Sequence, residues 1–176
     1  MSRKAPRLVL ALALLALLVI ALGAHLERDG AHQRTRVAVA TITDGDTLRL
    51  RGGERVRLLQ IDAPEAGEEC YAERATAELA RLAPRGSLIA LEPDSALDAR
   101  DRYGRLLRYV LRGPTNVNVE LVRRGAATPY FYEGERGRYS NRLLAAVAEA
   151  RQARRGMWRA CRVTWSPEAP VTTRPR

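Results

Sequence analysis

A strand-patterned run cut twice by tight turns opens the folded part of this chain. Arg36 to Thr43 alternates valine with small residues, the two-residue period of a half-buried strand. Asp44-Gly45-Asp46 supplies a turn, and Thr47 to Leu50 returns. Gly52-Gly53 makes a second turn before a third strand, Arg55 to Ile61. Connections this short join antiparallel neighbours, so the segment is expected to form a meander. Helix and strand signals then mix. Cys70 to Leu82 carries apolar residues at helical spacing, stopped by Pro84 and Gly86. Ser87 to Leu91 and Leu106 to Leu111 read as strands, Val119 to Arg124 as a short helix stopped by Gly125. Tyr139 to Arg155 reads as the longest helix, ended by Gly156. Pro167, Pro170 and Pro175 mark residues 163–176 as a disordered tail. Pattern alone gives a small α+β domain with a strand-rich start, over residues 36–162.

The segments before it have a different character. Arg3, Lys4 and Arg7 precede an apolar run from Leu8 to Leu22, an export signature. The run is short for a spanning helix, and Ala21-Leu22-Gly23 is a tolerable cleavage site. Residues 1–24 therefore read as a cleaved signal peptide or a membrane anchor; a buried core helix would need a polar face that this run lacks. The basic flank places the domain outside the cytoplasm. Residues 25–35 are polar and read as a linker. Cys70 and Cys161 are the only cysteines. In an exported chain an even count suggests a disulfide, against the alternative of two buried thiols.

Composition narrows the chemistry. The formal net charge is +10, and Lys4 is the sole lysine among thirty basic residues. Such a surface suits a polyanion, either nucleic acid or anionic membrane. The two histidines, His25 and His32, both precede the domain. A Ser-His-Asp triad, a Cys-His pair and a histidine metal site are excluded within it. Its chemistry must run on carboxylates, arginine and tyrosine.

Three segments supply those groups: Asp44-Gly45-Asp46-Thr47, Arg57 through Asp62-Ala63-Pro64-Glu65, and Asp101-Arg102-Tyr103-Gly104-Arg105. Asp46 and Asp62 lie at the ends of adjacent strands of the meander, where two carboxylates can meet one hard cation. Each alone could be a turn residue bonding its own backbone. Arg57 and Arg105 offer planar donor forks that fit phosphate oxygens. Together these are the parts of a metal-dependent phosphodiesterase.

The order and spacing of the segments resemble the staphylococcal nuclease (thermonuclease) family, from roughly Arg36 to Trp158. The resemblance implies a five-stranded OB-type β-barrel with about three helices, here preceded by an apolar N-terminal helix. It implies Ca²⁺ held by Asp46, Asp62 and the backbone carbonyl of Ala63, where the family often has threonine. It gives Glu65 the role of activating or orienting the attacking water, and Arg57 and Arg105 that of a phosphate clamp. It points to Tyr130 and Tyr132 for nucleotide contacts, with Arg102 and Tyr103 as weaker candidates; aromatic packing is the plain alternative for the tyrosines. The loop from Glu65 to Cys70 is shorter than in the best-studied members.

The implied activity is exported, Ca²⁺-dependent hydrolysis of DNA and RNA that leaves 3′-phosphate ends. Two other readings compete. A catalytically inert OB-type nucleic-acid-binding domain would dispense with Asp46, Asp62, Glu65, Arg57 and Arg105, all of which are present. A membrane-surface protein would use the arginine-rich face but leaves the carboxylate spacing unexplained. Membrane contact otherwise comes only through an uncleaved N-terminal segment. No protein partner is implied, and a monomer is expected.

Overall fold

The computed structural model describes residues 36–176. The apolar run and the linker, with the signal or anchor reading placed on them, lie outside the described residues. Among these residues no helix is long and apolar enough to cross a membrane.

Strands β1 (Arg36–Ile42), β2 (Thr47–Leu50) and β3 (Arg55–Leu58) form the expected meander. A short β4 (Ile61–Asp62) follows, then helix α1 (Ala72–Leu82), β5 (Leu88–Glu92) and β6 (Leu106–Arg112). Beyond them come β7 (Thr115–Asn116), α2 (Val117–Arg123), β8 (Thr128–Pro129), α3 (Ser140–Gln152), α4 (Met157–Ala160), β9 (Cys161–Ser166) and β10 (Ala169–Pro175). The principal strands run in the order β3-β2-β1-β5-β6, and β3 also pairs with β6 in parallel. That last pairing turns an open sheet into a closed five-stranded barrel and removes its edges. Val39, Leu48, Val56, Leu58, Ile89 and Val110 fill the interior, all essentially inaccessible to water. Ala75 and Leu79 of α1, Leu121 and Val122 of α2, and Leu143 and Val147 of α3 join the same core.

Helix ends differ from the sequence reading by a few residues. Helix α1 starts at Ala72 rather than Cys70, because Tyr71 adopts left-handed backbone (φ 78°). Helix α2 starts two residues early, capped by the Asn116 side chain accepting from the Val119 amide. Helix α3 is shorter than Tyr139–Arg155, since Arg154 turns to φ 49°.

Two corrections matter for the site. The third strand does not run unbroken from Arg55 to Ile61. It stops at Leu58, Gln60 enters the left-handed region (φ 58°), and Ile61–Asp62 pairs with β8 instead. The Gln60 side chain holds that conformation. Its Nε2 donates to the Glu135 carbonyl at 2.9 Å, and its Oε1 accepts from Ser140 Oγ at 3.1 Å and faces the Tyr109 hydroxyl at 2.9 Å. The break lets the Asp62 backbone pair with Thr128 of β8 while its carboxylate still meets Arg57 of β3.

The C-terminus is not a disordered tail, and the fold does not end at 162. Residues 161–175 form the antiparallel β9–β10 hairpin. Its prolines sit where no ladder amide is needed: Pro167 in the turn, Pro170 in the irregular stretch between Ala169 and Thr172, Pro175 at the strand end. Trp165 donates its indole N–H to the Pro129 carbonyl at 2.8 Å, and the Phe131 amide donates to the Pro167 carbonyl. Cys70 and Cys161 are joined, with their Cα atoms 6.1 Å apart.

Candidate active site

Glycine explains why the Asp44-Gly45-Asp46 turn can reach the second acidic segment. A methyl group on Gly45 would lie 2.6 Å from Cβ of Ala63 and 2.9 Å from Cβ of Ala75. Only a residue without Cβ lets the turn press against both Ala63 and helix α1. That contact puts Asp46 beside Asp62. The Asp46 carboxylate accepts from the Ala63 amide at 2.9 Å and from the Thr47 hydroxyl at 3.1 Å.

Arg57, on β3, reaches across to both acids. Its Nη2 lies 3.0 Å from Asp46 Oδ2 and 2.9 Å from Asp62 Oδ1. Its Nη1 donates to the carbonyls of Ile61 and Leu58 at 2.7 and 3.0 Å. A buried carboxylate, Asp46, and a half-buried one, Asp62, thus share one guanidinium. Burial pushes Asp46 up to about 7, with Arg57 opposing and Asp44 and Asp62 adding to the rise. Burial likewise raises Asp62 against the pull of Arg57 and of the Val171 amide. Two acids raised by burial while sharing one arginine mark a place short of positive charge.

That deficit, together with an all-oxygen donor set, fits a hard divalent cation. Asp46, Asp62 and the carbonyl of Ala63 are the groups that would hold it. Among the described residues, no cluster of three or more His, Cys, Asp or Glu side chains forms a denser candidate.

The second arginine is also held in place. Asp101 accepts from the Tyr103 and Arg105 amides on Oδ1 at 2.9 and 3.0 Å, and from Arg105 Nε on Oδ2 at 2.6 Å. Burial alone would raise this carboxyl, but these donors outweigh it and hold it below the ordinary aspartate range. Arg105 Nη1 in turn lies 3.4 Å from the Thr47 hydroxyl. Thr47 therefore touches Asp46 on one side and Arg105 on the other.

Arg57 and Arg105 line one cleft of about 430 Å³ with Arg102, Tyr103, Tyr130 and Tyr132. Tyr103 and Tyr132 are the exposed aromatics of the fold, at 58% and 63%. Arg102 donates to the Tyr103 hydroxyl at 2.7 Å and lies over its ring. Tyr130 and Tyr132 meet edge to face, 6.5 Å between centroids. The two acids are not among the cleft's lining residues; Arg57 is the side chain common to both places. Glu65 is exposed just beyond Pro64, and its carboxylate makes no hydrogen bond among the described residues.

The profile of the family described as staphylococcal nuclease homologue matches residues 55–160. The chain belongs to the staphylococcal nuclease family. Micrococcal nuclease of Shigella flexneri is 36% identical over 135 residues, which cover 70% of this chain and 73% of that protein. Thermonuclease of Staphylococcus intermedius is 30% identical over 128 residues, covering 68% and 74%. Endonuclease YhcR of Bacillus subtilis (strain 168) is 31% identical over 136 residues, 68% of this chain but only 11% of its own length. Membership of the staphylococcal nuclease family makes the chain a hydrolase of the nuclease type.

Thr47 and Asp101 stand in the motif segments without an assigned role, and Glu69 and Val171 lie outside them. Asp101, Thr47, Glu69 and the backbone N–H of Val171 all hold other site groups in place. Asp101 had a signal, its four-residue spacing from Arg105 across a Tyr-Gly turn. Val171 had none, because the contact spans 109 residues.

Proposed function

We propose that this chain is an exported, Ca²⁺-dependent nuclease that hydrolyses both DNA and RNA. The observation that carries the reading is Arg57, which bridges Asp46 and Asp62 while lining the aromatic- and arginine-rich cleft. In the proposed complex a phosphodiester binds against the Arg57 and Arg105 guanidinium groups, and its nucleoside lies along Tyr130 and Tyr132. Ca²⁺ held by Asp46, Asp62 and the Ala63 carbonyl would supply Lewis-acid polarisation of the phosphate.

Glu65 accepts the proton of a water whose oxygen forms the new bond to phosphorus. The bond to the 5′ oxygen breaks in line, and that oxygen takes up a proton. The products are a 3′-phosphate and a 5′-hydroxyl. Arg57 and Arg105 hold the extra charge that builds on the equatorial oxygens. The site of action is outside the cytoplasm. The apolar N-terminal run and the Cys70–Cys161 pairing support that address.

The test is cleavage of single- and double-stranded DNA and of RNA by purified protein in Ca²⁺, Mg²⁺ or chelator, with Glu65→Gln and Arg57→Lys alongside. Cleavage is expected to need Ca²⁺ and to collapse in both variants. Intact substrates with folded protein in Ca²⁺ would sink the reading. Salt-sensitive binding without cleavage would leave a nucleic-acid-binding domain in its place.

A further inference from the structure

Within the loop carrying Glu65, the Glu65 carbonyl accepts from the Glu68 and Glu69 amides at 3.3 and 3.1 Å, and one side chain that the proposed chemistry does not use ties the loop to the rest of the fold. Glu69 spans it from within: its Oε2 accepts from the Glu65 amide at 2.8 Å. Its Oε1 accepts from the Thr173 amide of strand β10 at 2.9 Å. One carboxylate thus bonds the backbone of Glu65 to a strand more than one hundred residues away.

Strand β10 reaches the acidic loop at a second point. The Val171 amide donates to Asp62 Oδ2 at 2.9 Å. Residues 171 and 173 are two apart, so their amides point to the same side of the strand. Thr172 and Arg174 pair with Thr164 and Arg162 of β9. The edge of β10 that does not face β9 is therefore spent on Asp62 and Glu69. The strand cannot slide there, because the Thr173 hydroxyl donates to the Cys70 carbonyl at 2.6 Å and Cys70 is bonded to Cys161. Val171 and Thr173 are themselves buried.

We propose that Glu69 is a positioning residue for Glu65, fixing the catalytic loop to the C-terminal hairpin. This rests on the reading of Glu65 as the residue that handles the attacking water. A short loop left to itself would sample many conformations, and an error of about 1 Å in a catalytic group costs on the order of 100-fold in rate. Glu69 restricts that freedom from outside the cleft-lining residues.

The experiment is steady-state cleavage of DNA by the full-length protein carrying Glu69→Ala or Glu69→Gln, each alone and combined with Glu65→Gln. Glu69→Ala is expected to lower kcat about 10- to 100-fold while KM stays within about two-fold. Glu69→Gln keeps one acceptor oxygen and is expected to fall between that variant and wild type. In the Glu65→Gln background the added Glu69→Ala should cost less than about two-fold, because there is no carboxylate left to position. Glu68→Ala, a neighbouring exposed acid, should leave the rate unchanged. Equal losses in both backgrounds, or a kcat within about two-fold of wild type for Glu69→Ala, would overturn the positioning role and leave the nuclease reading intact. Wild-type turnover in Glu65→Gln alone would overturn the assignment of Glu65 and the role of Glu69 with it.

Discussion

Replacing both cysteines tests how the two ends of this domain are held together. The Cys70–Cys161 bond closes a loop of 91 residues. In the chain-entropy treatment, a loop of that length removes about 15 cal/mol/K from the unfolded chain, or about 4.6 kcal/mol at 25 °C. The double variant Cys70→Ser/Cys161→Ser leaves no lone thiol to complicate the measurement. For a domain of this size each kcal/mol moves the melting midpoint by about 3 °C, so the variant should melt roughly 15 °C lower. In urea, with a slope near 2 kcal/mol/M, the midpoint should fall by about 2 M. The assay is urea unfolding followed by tryptophan fluorescence, since Trp158 and Trp165 meet at 6.2 Å beside the bond. A loss under about 1 kcal/mol would refute the reasoning, because it would mean that the unfolded chain keeps these residues close without the bond.

Other outcomes follow from the site and its supports. Asp46→Asn should abolish cleavage yet raise stability at neutral pH. The folded carboxyl is raised to about 7, so its contribution is fully present below the ordinary aspartate pKa and lost as pH rises toward 7. The gap between variant and wild type should open across that window in thermal melts and stay flat above it. Asp94 shifts the other way. Burial would raise it, but donations from the Arg138 and Ala96 amides and the Tyr109 hydroxyl hold it below the ordinary range. Asp94→Asn should therefore destabilise at neutral pH, and the difference should shrink as acid melts pass below pH 4. Gly137→Ala would place a methyl 2.5 Å from the Tyr109 hydroxyl and 2.6 Å from Asp94 Oδ2; a loss of about 1–3 kcal/mol in urea unfolding is expected. Gly45→Ala should cost a similar amount and also reduce cleavage, since it wedges Asp46 away from Ala63.

The meander that opens the barrel was legible because its instructions are local. The alternation of Arg36–Ile42 and the turns at Asp44–Asp46 and Gly52–Gly53 specify a meander within a few residues. Its closure by β3 against β6 came only through the family resemblance, since parallel pairing over some fifty residues leaves no local mark. Asp46, Arg57, Asp62 and Arg105 could be singled out because each sits in a short run whose order and spacing resemble the family's. The hairpin at 161–175 was hidden by its own prolines, which read as breakers although each occupies a position without a ladder amide. Gln60 was hidden for the opposite reason: nothing in a glutamine announces that its side chain will hold a left-handed turn with bonds to Glu135 and Ser140.

The link from Val171 to Asp62 has a consequence in time as well as space. A polypeptide is made from its N-terminus, and the barrel strands are complete by Arg112. The amide that steadies Asp62 belongs to a residue made 109 positions later. A growing chain can thus assemble its barrel long before the acidic loop receives its last support. Any copy truncated before β10 would carry every acid and arginine of the site and still lack the amides that bond Asp62 and Glu69. The order of synthesis is thus also an order of assembly: every acid and arginine of the candidate site is made before the strand that bonds Asp62 and Glu69.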